Sequence, residues 1–153
     1  MIEIREVRPD DFSELVEVWE AAVRATHHFL TEADILDIRR QVEELLPAFA
    51  GLLAACPEEG PPVGFMGLTP PEAEGGEAEI DMLFVHPDRH GQGVGTAMID
   101  FARARHPRLK LSVNEQNPKA RKFYENRGFE VVGRSPLDSQ GRPFPLLHMW
   151  LGS

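Results

Sequence analysis

The chain has 153 residues, 42% hydrophobic and 27% charged, so one packed domain is expected and general disorder is excluded. Its formal charge of −9 argues against nucleic acid as a general partner, because phosphates must be neutralised by cations. The charge is uneven: residues 1–85 hold 5 Lys/Arg against 19 Asp/Glu (net −14), and residues 86–153 hold 11 against 6 (net +5).

A single cysteine, Cys56, leaves no intrachain disulfide and no thiolate metal cage, and no metal is expected. The longest uncharged run, Leu45 to Pro57, is interrupted by Pro47 and Gly51 and is too short to span a membrane. Met1-Ile2-Glu3-Ile4-Arg5 lacks the basic-then-apolar pattern of a signal peptide, so a cytoplasmic setting is expected.

In chain order, residues 2–7 alternate apolar and charged and predict a short strand. Phe12, Leu15, Val16, Trp19, Ala22 and Val23 then recur at helical spacing, with Phe12 and Trp19 read as core. A second helix is expected from about Thr31, a good cap, to Leu46. The apolar runs 51–56 and 63–68 flank the turn cluster 57–62 and predict a hairpin. Cys56 lies in one of these runs and is read as a buried structural thiol.

After a Pro/Gly/Glu loop at 70–77, residues 79–85 predict a strand that ends before Pro87. Val94, Ala97, Met98, Phe101 and Ala102 form a helical stripe, and 109–113 reads as a strand. Asn117-Pro118 is a cap followed by a first-turn proline, and Gly128 closes that helix. Residues 129–133 and 146–151 are the last strands. The order implies an α/β (α+β) chain: a mixed, mostly antiparallel sheet of about seven strands flanked by about four helices.

His90-Gly91-Gln92-Gly93-Val94-Gly95-Thr96 lies between a strand and a helix. Glycines let a backbone approach an anion, and the helix start adds amides and a favourable dipole, so the loop is a candidate phosphate cradle. Its glycine spacing is neither the dinucleotide fingerprint nor a Walker loop. Downstream, Asn117 and Tyr124 are seven residues apart, two helical turns and one face, in a segment made basic by Lys119, Arg121, Lys122 and Arg127.

The two segments together resemble the GCN5-related N-acetyltransferase (GNAT) superfamily. There an Arg/Gln-x-x-Gly-x-Gly/Ala loop precedes an Asn-x-x-Ala-x-x-Phe-Tyr-x-x-x-Gly-Phe segment. This chain matches the latter at Asn117, Ala120, Phe123, Tyr124, Gly128 and Phe129. His90, preceded by Arg89, stands at the Arg/Gln position and is a departure. Within the superfamily the chain is similar to small bacterial acetyltransferases that share Ala25-Thr26-His27-His28-Phe29-Leu30, Asn114 to Asn117, and the Gly133 to Leu147 stretch.

The resemblance implies a single GNAT domain over residues 1–153 with acetyl-CoA as donor. It implies that the backbone of Leu83, Phe84 and Val85 pairs with the pantetheine arm. His90, Gly91, Gln92, Gly93, Val94, Gly95 and Thr96 hold the pyrophosphate, with Asn117 and Arg121 completing the donor side. It gives Tyr124 the role of protonating the departing thiolate. A phenol near pKa ~10 facing a thiol near ~8.5 is not driven strongly downhill, but a hydrogen bond to the developing charge helps.

The base that takes the proton from the amine is open at this point. Glu79 and Asp81 share one face of a strand, and His27 is the rival because histidine titrates nearest neutrality. His28 and His148 have no further support, and His86 and His106 precede prolines as turn residues. The expected acceptor is a primary amine on a small molecule or peptide, with the acidic N-terminal half forming its side and transfer occurring directly in a ternary complex. A CoA-binding sensor without catalysis is the alternative. Dimers are common in the superfamily, so a homodimer is compatible with the resemblance.

Overall fold

A computed structural model describes residues 1–152. Its elements are β1 (Glu3–Glu6), α1 (Phe12–Thr26), α2 (Glu32–Ala48), β2 (Leu52–Cys56), β3 (Gly64–Thr69), β4 (Ala78–Val85), α3 (Val94–Arg105), β5 (Leu109–Asn114), α4 (Pro118–Asn126), β6 (Glu130–Ser135) and β7 (Leu146–Leu151). The strands are ordered β1-β2-β3-β4-β5-β7-β6. The β4/β5 pair is parallel, and the β1/β2, β2/β3, β5/β7 and β6/β7 pairs are antiparallel, which is the expected mixed sheet. The chain forms two compact units, Met1–Leu68 with Met82–Ala102, and Thr69–Asp81 with Arg103 onward.

In the first unit the helical stripe of α1 is the core. Leu15, Val16, Val18, Trp19 and Val23 are buried with Ile35, Leu46, Leu52 and Phe65, and Phe12 packs against them. Thr31 and Asp34 cap α2 reciprocally, each side chain accepting the other's backbone amide (3.1 and 3.0 Å). The helix runs past the expected end to Ala48, with Pro47 in its last turn. Close strand packing depends on missing side chains: a Cβ on Gly64 would stand 2.9 Å from the Phe84 carbonyl oxygen, and one on Gly67 2.9 Å from Met82 Cγ. Cys56 is buried, and burial pushes its thiol up, so it stays a neutral packing group.

Asp11, Glu17, Glu20 and Glu32 of the acidic N-terminal half are paired with arginines inside this unit. Arg39 binds Glu17 and Glu20 at 2.9 and 2.6 Å, Arg24 binds Glu20 and Glu32 at 3.1 and 2.6 Å, and Arg5 binds Asp11 at 2.8 Å. These arginines hold the carboxyls of Asp11, Glu20 and Glu32 below the usual range. The net −14 of residues 1–85 already counts these arginines, so most of the acidity of that half stays unneutralised.

In the second unit β5 and β7 pair along their full lengths, Leu109↔Leu151 to Asn114↔Leu146. Leu109, Leu111, Val113, Leu147, Met149 and Leu151 are buried on one face. The strand expected at 129–133 starts one residue later and reaches Ser135, with a register shift between Val131 and Gly133. Phe129 instead belongs to the turn that closes α4, its amide bonded to the Tyr124 carbonyl.

Candidate active site

The first unit carries the glycine loop. After β4, His86 donates its amide to the Val63 carbonyl (2.8 Å), its Nδ1 accepts the Asp88 amide (3.1 Å), and a single 3-10 turn over Pro87–Arg89 follows. Gly91 and Gly93 have φ of +79° and +82°, a region glycine enters freely and other residues do not. A Cβ at either position would meet nothing within 4 Å, so the space outside the loop is open.

The loop amides are not equivalent. Those of His90 and Gln92 already donate to Pro87 and Arg89 carbonyls (3.2 and 3.3 Å). Residues 94–96 form the first turn of α3, whose amides have no acceptor within the helix. Val94 is 1% exposed and anchors that turn in the core. The left-handed glycines and the helix start together make an anion nest, and they fit the diphosphate of CoA. His90 is exposed and Arg89 half-buried.

The same unit holds His27 at the end of α1, its amide bonded to the Val23 carbonyl (2.7 Å). The Thr26 hydroxyl donates to the Ala22 carbonyl (2.8 Å), so its 2.7 Å contact with His27 Nδ1 is a bond in which the ring donates. Nε2 is then left with the lone pair. Burial, with His28 adding to it, pushes the His27 pKa down to about 4. The ring is neutral at pH 7.

The second unit holds the other motif. Asn117 Oδ1 accepts the Ala120 amide (3.2 Å), so this buried side chain is the N-cap of α4, with Pro118 at the first helical position. At the far end the Phe129 amide donates to the Tyr124 carbonyl and the Gly128 amide to the Glu125 carbonyl, both 3.0 Å. That is a Schellman closure, with Gly128 at φ +100° and the Phe129 and Tyr124 rings in edge contact at 5.7 Å. Tyr124 is thereby fixed at the buried side of α4, and burial raises its phenol above the ordinary value. Arg121 is exposed and faces Glu125 at 3.5 Å.

Glu79 and Asp81 also lie in this unit, on one face of β4. Glu79 is half-buried and in register with Lys110, and Asp81 is exposed and accepts a hydrogen bond from the Thr69 hydroxyl (2.6 Å). Sequence reading missed Thr69 and a Ser112–His148–Ser135 group on the sheet, with serine-to-imidazole contacts of 2.8 and 2.6 Å. Only strand register brings these together, and no local spacing signals it.

The family model described as acetyltransferase (GNAT) family matches residues 6–129. The chain belongs to the GNAT acetyltransferase family. It is 41% identical to a peptidyl-lysine N-acetyltransferase YjaB of Salmonella typhimurium, over 97% of both chains. To the YjaB of Escherichia coli it is 40% identical, over 97% of this chain and 96% of the other. The solution structure of apo YjaB from Escherichia coli superposes with a TM-score of 0.89 at 39% identity, covering 100% and 99% of the two chains. A PaiA N-acetyltransferase from Thermoplasma acidophilum, solved in complex with coenzyme A, shares the fold at a TM-score of 0.79 and 22% identity, covering 100% and 99%. GNAT acetyltransferases use acetyl-CoA as donor, and no helix among the described residues of this one is long and apolar enough to cross a membrane.

Proposed function

We propose that this GNAT enzyme transfers the acetyl group of acetyl-CoA directly to the side-chain amine of a lysine in a peptide or protein. The whole chain acts as one catalytic domain in the cytoplasm. The observation that carries the donor half is the open loop with left-handed Gly91 and Gly93 at the start of α3. The acceptor half is carried by identity of about 40%, end to end, to proteins named peptidyl-lysine N-acetyltransferases.

Acetyl-CoA, when bound, supplies a thioester carbonyl and a thiolate leaving group. The amides of the first turn of α3, with Gly91 and Gly93, hold the diphosphate, and Leu83, Phe84 and Val85 align the pantetheine arm. Tyr124 takes the role of hydrogen-bond donor that the family resemblance gives it. Its raised pKa keeps the phenol protonated at working pH, which supports donation to the developing thiolate charge over outright loss of the proton. Asn117 contributes by starting α4 at the right residue, and Arg121 by adding positive charge to that helix.

The base role is assigned to the β4 carboxylates Glu79 and Asp81, directly or through water. They bring negative charge to a lysine ammonium, which the neutral His27 does not. His27 instead offers its Nε2 lone pair as an acceptor that orients the amine.

The test is thiol release from acetyl-CoA with α-capped lysine peptides and free small amines, beside calorimetry with acetyl-CoA, ATP and NAD. Binding of acetyl-CoA alone, with turnover on the peptides, is the expected result. Binding without turnover on any amine would make the protein a CoA sensor.

A further inference from the structure

The outer strands of the second unit carry a hydroxyl–imidazole chain on the face opposite their buried residues. In β5, Leu109, Leu111 and Val113 are buried while Lys110 and Ser112 are exposed. In β7, Leu147, Met149 and Leu151 are buried, and His148 and Trp150 alternate to the other face. Register sets Ser112 opposite His148 and His148 opposite Gly133. A Cβ on Gly133 would lie 3.7 Å from His148 Cδ2, so the ring rests against that glycine. Ser112 Oγ lies 2.8 Å from Nδ1, and Ser135 Oγ 2.6 Å from Nε2.

Both ring nitrogens are therefore bonded to hydroxyls. A neutral imidazole has one donor and one acceptor, and a hydroxyl can be either, so the chain reverses direction when one proton moves at each link. Burial does not demand this arrangement, since Ser112 is exposed and His148 and Ser135 are only half-buried. The β4/β5 ladder runs from Ala78↔Leu109 to Ile80↔Leu111, and Asp81 and Ser112 are the next residues along the two strands. The outer end of the hydroxyl–imidazole chain lies on β6, the last strand of the order.

We propose that Ser112, His148 and Ser135 form a proton relay that carries the acceptor amine's proton from the β4 carboxylates out to the edge strand. This rests on the lysine acetyltransferase reading and names the proton route of that site. The ammonium N–H bond breaks and its proton reaches Ser112 Oγ by way of the carboxylate. The Ser112 hydroxyl proton passes to Nδ1, the Nε2 proton to Ser135 Oγ, and the Ser135 proton to water. Nothing is oxidised or reduced, and the amine keeps the electron pair with which it attacks the thioester. His148 acts through Ser112, as a positioning and relay residue. The charged groups on its face are Glu79 and Asp81 on β4, Lys110 on β5, and Glu130 on β6 in register with Trp150. Arg134 is held by Glu115 at 2.6 Å.

The experiment is steady-state kinetics of the full chain with acetyl-CoA and α-capped lysine peptides, from about pH 6 to pH 9. His148→Gln and Ser112→Ala are expected to lower kcat about 100-fold near pH 7. KM for acetyl-CoA should stay within about twofold, because the relay does not touch the donor. The deficit should narrow toward high pH, where more of the amine is already free. Added imidazole should restore part of the rate to His148→Ala. Ser112 is exposed, so Ser112→Ala keeps the test alive if the histidine variants fail to fold. Variants whose kcat stays within twofold of the parent at every pH overturn the relay, as does a loss with an unchanged pH profile and no imidazole rescue. Failure of the parent to acetylate any peptide overturns the functional reading and the relay with it; an active parent with unaffected variants overturns the relay alone.

Discussion

Replacing Gly128 by alanine tests the link between the chain's local chemistry and its site. Gly128 has φ +100°, where an L-residue is strained by about 1–2 kcal/mol. A Cβ there would stand 3.1 Å from Leu151 Cδ1, the end of a flexible side chain that must give by a few tenths of an ångström. The two effects together come to about 2 kcal/mol, which for a chain of this size lowers Tm by roughly 4–8 °C. Gly75→Ala is the control: its φ is +81°, but nothing lies within 4 Å and its loop is free to relax, so a smaller loss is expected. Urea denaturation followed by circular dichroism measures both. Because the Gly128 and Phe129 amides close the helix that fixes Tyr124, kcat should fall more than KM for acetyl-CoA rises. Loss of less than about 0.5 kcal/mol, with unchanged kcat, would refute the account of how this turn places the tyrosine.

Three further outcomes follow from the site. Tyr124→Phe removes one hydrogen-bond donor from the developing charge and should lower kcat about 100-fold, with acetyl-CoA affinity by calorimetry unchanged. Glu79→Gln with Asp81→Asn should lower kcat for a lysine peptide about 100-fold and raise its KM about tenfold, leaving KM for acetyl-CoA alone, since both the base and the attraction for the cationic substrate are lost. His27 makes stability depend on pH: the unfolded ring takes a proton near 6.5, and the folded ring resists until about 4. Stability is therefore lost as pH falls from about 6.5 toward 4, by of order 1 kcal/mol at a partly exposed ring. His27→Gln should flatten that part of a pH–Tm curve.

Features governed by neighbours in sequence were legible before the structure. The cap at Asn117, the proline after it and the closing Gly128 each act within five residues, so the bounds of α4 and the place of Tyr124 could be read directly. The glycine loop was legible for the same reason, because positive φ is a local demand. Long-range pairing was hidden. Arg39 reaches Glu17 and Glu20 across 22 and 19 residues, a pairing that no local spacing signals. His148 looked unremarkable because its partners Ser112 and Ser135 are 36 and 13 residues away and meet it only through register, displaced by the Val131/Gly133 shift. The helix α2 ends two residues beyond the expected Leu46: Pro47 sits in its last turn, where the one bond it removes, to the carbonyl four residues back, does not stop the helix before Ala48.

Mass spectrometry of an α-capped lysine peptide after incubation with the protein and acetyl-CoA tests the central claim most directly. The account predicts one acetyl group on the lysine side-chain nitrogen, in step with the free thiol released. Tight binding of acetyl-CoA with no acetyl-lysine on any peptide would contradict it.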